Sequence, residues 1–372
     1  MSGAVGTLSR QWIPMPGGSC DVRMGEDALG QASKLFKSSV GTPRMCVAVV
    51  REDEDADLIE ELRRELVDAS FEVTLHEVER GDARTLDQAT RLFSTFASTH
   101  ATADDLCCAL GDADVLSLAA YASGAWCGGM SLVAIPTDEV ALLEGAFAPR
   151  GLAVQGQDNM IAVRPHARHV LLDYGLSLSA FDSEAACYAR TLSVAAAMCG
   201  SERVFSELWD RADLMVSGDE DALTKQLMAT AKARGQALSS TAAAIRQSVD
   251  YGHDIARAIA RVAPKELPAS MLVAEGMRFA ARLAVGMEKL KLDDMLAQDE
   301  LLQTFGIGMV QCNVEPGKLV EALKQERFQR TNRFMLLVPL AIGRVRLTSV
   351  DDDLLLEHAS AWCAAHAVAN EQ

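Results

Sequence analysis

From Met45 onward the chain alternates between short runs rich in apolar and β-branched residues and longer segments whose apolar residues recur every three or four positions. MCVAVV (45–50), FEVTLHEV (71–78), LCCALG (106–111) and SLVAIP (131–136) read as strands. DADLIEELRRELVDA (55–69), TLDQATRLFSTFAST (85–99) and VLSLAAYASGAW (115–126) read as the helices between them. Buried strands alternating with helices predict a parallel sheet covered on both faces. Residues 1–40 carry fragments broken by glycines, consistent with one or two edge strands and a first helix. The Gly/Pro-punctuated FAPRGLAVQGQDNMIAVRP (147–165) suggests a hairpin, and HVLLD (169–173) a further strand.

After Ser183 the texture changes to long Ala/Leu/Met-rich helical patterns, broken near Gly200, Gly218, Pro264 to Pro268 and Gly306 to Gly308. RFMLLVPLAIGRVRL (333–347) predicts two short strands around a turn, and DDDLLLEHASAWCAAHA (351–367) a closing helix whose acidic start suits the positive end of the helix dipole. The fold class expected is therefore α/β plus all-α: a Rossmann-like, nucleotide-binding-type domain over residues 1–180, then a mainly helical domain over residues 181–372.

Composition narrows the partners. A hydrophobic content of 49% with only 5% aromatics fits an α-dominated globule with enough chain to bury two cores. A formal charge of −17 argues against nucleic acid or an anionic membrane surface. No apolar stretch approaches the roughly 20 residues of a membrane helix, and no basic segment precedes an apolar run near the start, so a cytoplasmic location is expected. The nine cysteines show no close metal-ligand spacing and read as small buried hydrophobes.

Five segments, in this order, resemble motifs of 3-dehydroquinate synthase and the related sugar-phosphate cyclases. GDADVLSLAAYASGAWCGG (111–129) stands where the family has a glycine-rich turn and helix after the third strand; IPTD (135–138) and QDN (157–159) follow. KARGQALSSTAAAIRQSVDYGHDIAR (232–257) aligns without a gap to the stretch that ends in GHxxGH, and ASMLVAEGM (269–277) to HGExVxxGM. The resemblance implies a homodimer and a reaction that turns a seven-carbon keto sugar phosphate into a carbocycle with NAD and zinc.

It also implies the zinc ligands, and most are missing. His253 matches the first histidine of GHxxGH, but Ala269 stands for the histidine of HGE, and Thr191 or Leu192 for the glutamate of an early helix. One ligand of three is too few for a catalytic zinc. Arg257 replaces the second histidine and is too basic to act as a general base; it reads either as an anion clamp or, the reading favoured, as an exposed helical arginine. Asp250 replaces an asparagine and either orients His253 or, with it, forms a hydrogen-bonded helix start. Lys232, Arg246, Arg150, Asn159 and Arg327 keep substrate-side positions, as a phosphorylated or carboxylated sugar-like ligand would require.

On the cofactor side Gly111, Asp82 and Thr137 persist, but Asp112 and Asp138 put carboxylates where pyrophosphate would sit, and Thr85 replaces a lysine. The expectation is a catalytically degenerate member of the family, without cofactor, in a binding or regulatory role. The alternative is an active, divergent cyclase of the shikimate pathway using NAD and zinc. A polyol dehydrogenase of the same fold would need several histidines, whereas His253 is the only one between 183 and 350.

Overall fold

The structure, a computed structural model, describes residues 8–162 and 166–368. The first seven residues of the amino-terminal stretch and residues 163–165, at the end of the segment expected to form a hairpin, lie outside it. The chain divides into two compact units, Met1–Ala180 and Phe181–Gln372.

The first unit is built on a seven-stranded sheet of order β1-β2-β9-β6-β5-β3-β4. Strands β1 (Ser9–Met15) and β2 (Gly18–Gly25) form an antiparallel edge, followed by the short helix α1 (Ser33–Ser38). Then β3 (Met45–Arg51), α2 (Ala56–Asp68), β4 (Glu72–Val78), α3 (Leu86–Ser98), β5 (Leu106–Gly111), α4 (Ala113–Ala125) and β6 (Ser131–Pro136) alternate as the apolar pattern predicts, and β3 through β6 pair in parallel. Strand β5 is buried along its whole length, which is why its sequence has no polar face. After a single π-helical turn at Ala141–Ala146 come the hairpin β7 (Leu152–Val154) and β8 (Gln157–Ile161), then β9 (His169–Asp173), which re-enters the sheet between β2 and β6, and the one-turn helix α5 (Tyr174–Ser177). Side chains cap the helices where the sequence changes period: Asp55 accepts from the amides of Asp57 and Leu58, and Thr85 from Gln88.

The second unit contains α6 (Glu184–Gly200), α7 (Glu202–Val216), α8 (Glu220–Ser239), α9 (Ala243–Gln247), α10 (His253–Val262), α11 (Ala269–Gly286), α12 (Leu292–Thr304) and α13 (Pro316–Phe328). The antiparallel pair β10 (Leu336–Ala341) and β11 (Arg344–Thr348) and the closing helix α14 (Asp352–His366) complete it. Helices α10 and α11 cross with their backbones in contact. Gly252, at the start of α10, has φ of 87°, and a Cβ added to Gly276 would stand 2.0 Å from its carbonyl oxygen. Only glycine at both places permits the crossing. Tyr251, fully buried beside it, donates to Gln298 Oε1 at 2.8 Å.

A polar knot pins α14 to α11. Glu275, wholly buried, accepts from Arg278 Nη1 on Oε1 (2.9 Å) and from Trp362 Nε1 on Oε2 (3.1 Å), and His366 Nε2 lies 2.8 Å from the same Oε2. Burial alone would raise the pKa of this carboxyl, but the His366 and Arg278 contacts bring it below its ordinary value of 4.5. Among the described residues no helix is long and apolar enough to cross a membrane.

Two outcomes follow for stability. Gly276→Ala is expected to cost about 3 kcal/mol in urea unfolding, because backbone rather than a movable side chain receives the new methyl. Gly200→Ala, whose Cβ would sit at an ordinary 3.5 Å from Val204, should leave the midpoint nearly unchanged. The depressed Glu275 binds fewer protons folded than unfolded, so its contribution is complete above pH 4.5 and shrinks as the pH falls below that value. Urea midpoints measured across this range should fall more steeply for the wild type than for Glu275→Gln.

Candidate functional site

The crossing of α10 and α11 presents His253 as the first residue of α10, buried to 6% exposure. Its Nε2 meets the hydroxyl of Tyr188 on α6 at 3.2 Å, and the tautomer sets which group donates. One turn earlier on α6, Glu184 accepts from the amide of Ser270 at 2.7 Å and from its hydroxyl at 2.8 Å, closing the start of α11. Thr191 Oγ1 lies 3.4 Å from the Ser270 carbonyl, its bond to Cys187 O on its own helix being shorter at 3.1 Å. Leu192 is fully buried and Ala269 offers only a methyl group. Of the positions where the resemblance implies metal donors, His253 thus faces the Tyr188 phenol and Thr191, Leu192 and Ala269 supply neither imidazole nor carboxylate, while the Glu184 carboxylate is spent on the start of α11. Among the described residues no three histidine, cysteine, aspartate or glutamate side chains form a group able to hold a metal ion. A donor set of this kind does not fit a zinc ion.

Immediately after His253 begins an ion-pair network between α10 and α13. Asp254 receives Arg257 Nη2 on one oxygen and Arg327 Nη1 on the other. Glu326 receives Arg257 Nε at 2.6 Å, Arg261 at 3.2 Å and Arg330 at 3.4 Å. Both carboxylates are buried. The expectation of an exposed helical arginine at 257 is corrected: its side chain is 27% exposed and bridges two acids. Burial works against its charge, but Asp254 and Glu326 outweigh that and raise its pKa, so it remains a cation with no part in proton transfer. Asp250, itself exposed, ends the short turn Ser248–Asp250, whose first two residues are buried, before Gly252.

The other basic residues of this unit do different things. Lys232 is exposed on α8, where its charge helps lower the pKa of Glu207, chiefly held down by a hydrogen bond from Arg203. Arg246 donates to the carbonyls of Ser240 (2.6 Å) and Thr241 (2.8 Å) and fastens the turn between α8 and α9.

In the first unit, Gly111 ends β5 at φ of 153° with Val115 packed over it, and Asp112 caps α4. The Asp112 carboxylate accepts from the amides of Asp114 and Val115, both at 2.9 Å, and pairs with Arg51 at 2.9 Å. The helix end that would receive pyrophosphate already holds an anion and its counter-ion. Nearby Asp138 accepts from the amide of Ala141 at 2.6 Å, and its pKa is raised, by burial first and by Glu139 and Asp112 second. The residues present do not fit a dinucleotide in the mode the resemblance implies.

Thr137 donates its amide to Gly111 O at 3.2 Å, and Asp82, exposed, accepts from the amide of Arg84 at 2.9 Å. Arg84, buried, pairs with Asp114 at 2.7 Å and with Asp158. Arg150 pairs with the buried Glu144, and Asn159 accepts from the amide of Gly151. Residue by residue, the structure joins His253, Arg257 and Arg327 through Asp254 and adjoining backbone. Tyr188, Glu184, Asp254, Glu326 and Arg51 are site residues that the motifs alone did not single out; Tyr188 lies one helical turn before Thr191, a spacing that could have found it.

No protein-family model matches the chain. A 3-dehydroquinate synthase of Dehalococcoides mccartyi is 22% identical over 320 residues, covering 85% of this chain and 88% of that protein. One from Streptomyces avermitilis is 24% identical over 340 residues, covering 86% and 89%. Among solved structures, 2-deoxy-scyllo-inosose synthase complexed with carbaglucose-6-phosphate, NAD+ and Co2+ matches with a TM-score of 0.77 at 16% identity, covering 95% of this chain and 99% of that one. The 2-epi-5-epi-valiolone synthase of Streptomyces hygroscopicus with NAD+ and Zn2+ bound gives 0.76 at 14%, covering 98% and 99%. An iron-containing alcohol dehydrogenase from Thermotoga maritima gives 0.63 at 12%, covering 95% and 100%. The chain is similar to 3-dehydroquinate synthases over most of its length, and its fold is the one the sugar-phosphate cyclases share.

Because Asp254 is buried between two guanidinium groups, Asp254→Ala should destabilise the protein by about 3 kcal/mol, leaving Arg327 without a counter-charge in the interior. Exposed Lys232→Ala should change the urea midpoint by less than about 0.5 kcal/mol.

Proposed function

We propose that this chain is a 3-dehydroquinate synthase-like protein that does not carry out the zinc-dependent cyclisation and acts through binding or regulation, as a pseudoenzyme. The observation that carries the reading is the contact of His253 Nε2 with the Tyr188 hydroxyl. A zinc site draws its affinity from several anionic or neutral donors converging on one point. Here the imidazole nitrogen faces a phenol, and the nearest carboxylate on α6, Glu184, is bound twice by Ser270. The Asp112–Arg51 pair at the start of α4 supports the same reading for NAD.

The second reading is an active, divergent 3-dehydroquinate synthase or related cyclase of the shikimate and aromatic amino acid pathway. The likeness to cyclases whose structures hold NAD+ with Co2+ or Zn2+ favours it, as do the basic residues Lys232, Arg246 and Arg150. In either reading the ligand is a small phosphorylated or carboxylated sugar-like molecule, and the protein is a cytoplasmic homodimer with no nucleic-acid partner.

Metal analysis of untreated protein, combined with an assay containing the seven-carbon keto sugar phosphate, NAD and zinc, separates the two. The expected result is zinc far below one per chain and no turnover. A stoichiometric metal that disappears in His253→Ala, or turnover at about 1 s⁻¹ or faster, would overturn the pseudoenzyme reading.

A further inference from the structure

Helices α6 and α8 line a cavity with their smallest side chains, Ala195 and Ala196 on the one and Ala233 and Ala237 on the other. Ile245 on α9 and Val249 in the turn that follows it complete an apolar wall around about 310 Å³. Gly200, Ser201 and Gln236 are the exposed residues of the lining, so the mouth opens beside them. An unfilled space of this size works against stability, because the atoms around it lose packing partners on one side.

The polar side chains of the wall are committed to the protein itself. The Cys199 thiol donates to the Ser248 carbonyl at 3.2 Å, and the Ser248 hydroxyl to the Ile245 carbonyl at 2.7 Å. Ser201 and Ser240 accept from the amides of Val204 (3.3 Å) and Ala242 (3.2 Å). Arg234, buried, has its interactions within the protein and is not offered to a ligand. A guest that brought a charge or several hydrogen-bonding groups into this interior would give up its hydration without replacement. Water fares little better, since a buried water needs two to four polar partners. Its displacement by an apolar body is therefore favourable.

We infer that this cavity binds a small uncharged molecule with a mainly hydrocarbon body, of about the size of two fused rings, whose single polar group stays at the mouth. An apolar cavity of about 150 Å³ stays dry and takes up benzene. The space between α6 and α8 has about twice that volume and reaches the lower end of the range for small-molecule sites, roughly 300–1,000 Å³. The inference does not rest on the reading of His253, because neither His253 nor Tyr188 lines the cavity.

Isothermal titration of the full chain in neutral buffer tests it, with indole as the probe. Two relatives carry a further polar group at the far end of the ring pair: 5-hydroxyindole, uncharged, and indole-5-carboxylate, an anion. The expected result is indole binding with Kd near or below about 1 mM, and both relatives at least about five-fold weaker. Ala237→Leu, which fills the space from α8, should weaken indole by about ten-fold or more while circular dichroism shows the fold retained. Absence of indole binding, equal binding of either relative, or unchanged binding in folded Ala237→Leu would each overturn the inference. Should Ala237→Leu fail to fold, Ala233→Val, a smaller addition from the same helix, takes its place, and the ratios on the wild type decide in any case.

Discussion

The helical unit depends on one backbone contact, that of Gly276 with the carbonyl of Gly252. With 2.0 Å between that oxygen and the place a Cβ would occupy, the two helices approach as closely as their main chains allow. The approach sets where α10 begins and therefore where His253 stands. It also brings the amino terminus of α11 to α6, where Glu184 can bind Ser270. Of the GHxxGH and HGExVxxGM motifs, Gly252, His253, Val273, Gly276 and Met277 persist, and the two glycines among them are packing residues. Positions 257 and 269 lie outside the contact. An arginine and an alanine can stand there without disturbing the crossing, so fold and chemistry are held by different residues of the same motifs.

Charge is settled locally wherever a ligand would have to be received. Asp112 and Arg51 neutralise each other at the start of α4, and Asp254 and Glu326 absorb Arg257 and Arg327. A ligand anion approaching Arg257 must compete with two carboxylates already desolvated and in place. Breaking a buried pair exposes the full cost of an uncompensated charge, of the order of 3–5 kcal/mol, which a weakly bound metabolite does not readily supply. Arg261, at 40% exposure the most exposed arginine of the network, softens this cost only at its rim.

The sheet and the long helices were legible because burial on both faces of a strand, or on one face of a helix, writes a period into the sequence. The antiparallel edge and the β7–β8 hairpin were legible from glycines and prolines. The π-helical turn at Ala141–Ala146 was not, since six buried residues contain too little pattern to separate one helical period from another. The site was legible as a set of absences. What occupies the vacated positions was not. The α6 alignment was uncertain by one residue between Thr191 and Leu192, and neither turned out to meet the imidazole; Tyr188, a turn earlier, does. The partner of Arg257 on α13 lies 69 residues away, beyond any local pattern.

The remaining step concerns what joins the helices where the family uses a metal. In the resemblance the three donors come from α6, α10 and α11, so a bound zinc would tie those helices together. Here the same three are joined by Tyr188 to His253 and by Glu184 to Ser270, each an ordinary hydrogen-bonding contact contributing on the order of 1 kcal/mol, rising to about 2 where a carboxylate takes part. Such contacts direct side chains but cannot by themselves fix three helices. The glycine crossing does fix α10 against α11, because its fit is steric and does not depend on pH, metal or ligand. A scaffold whose geometry is set in this way can lose its metal ligands one after another without unfolding, and the space they vacate is then filled by whatever neighbouring side chain satisfies the imidazole.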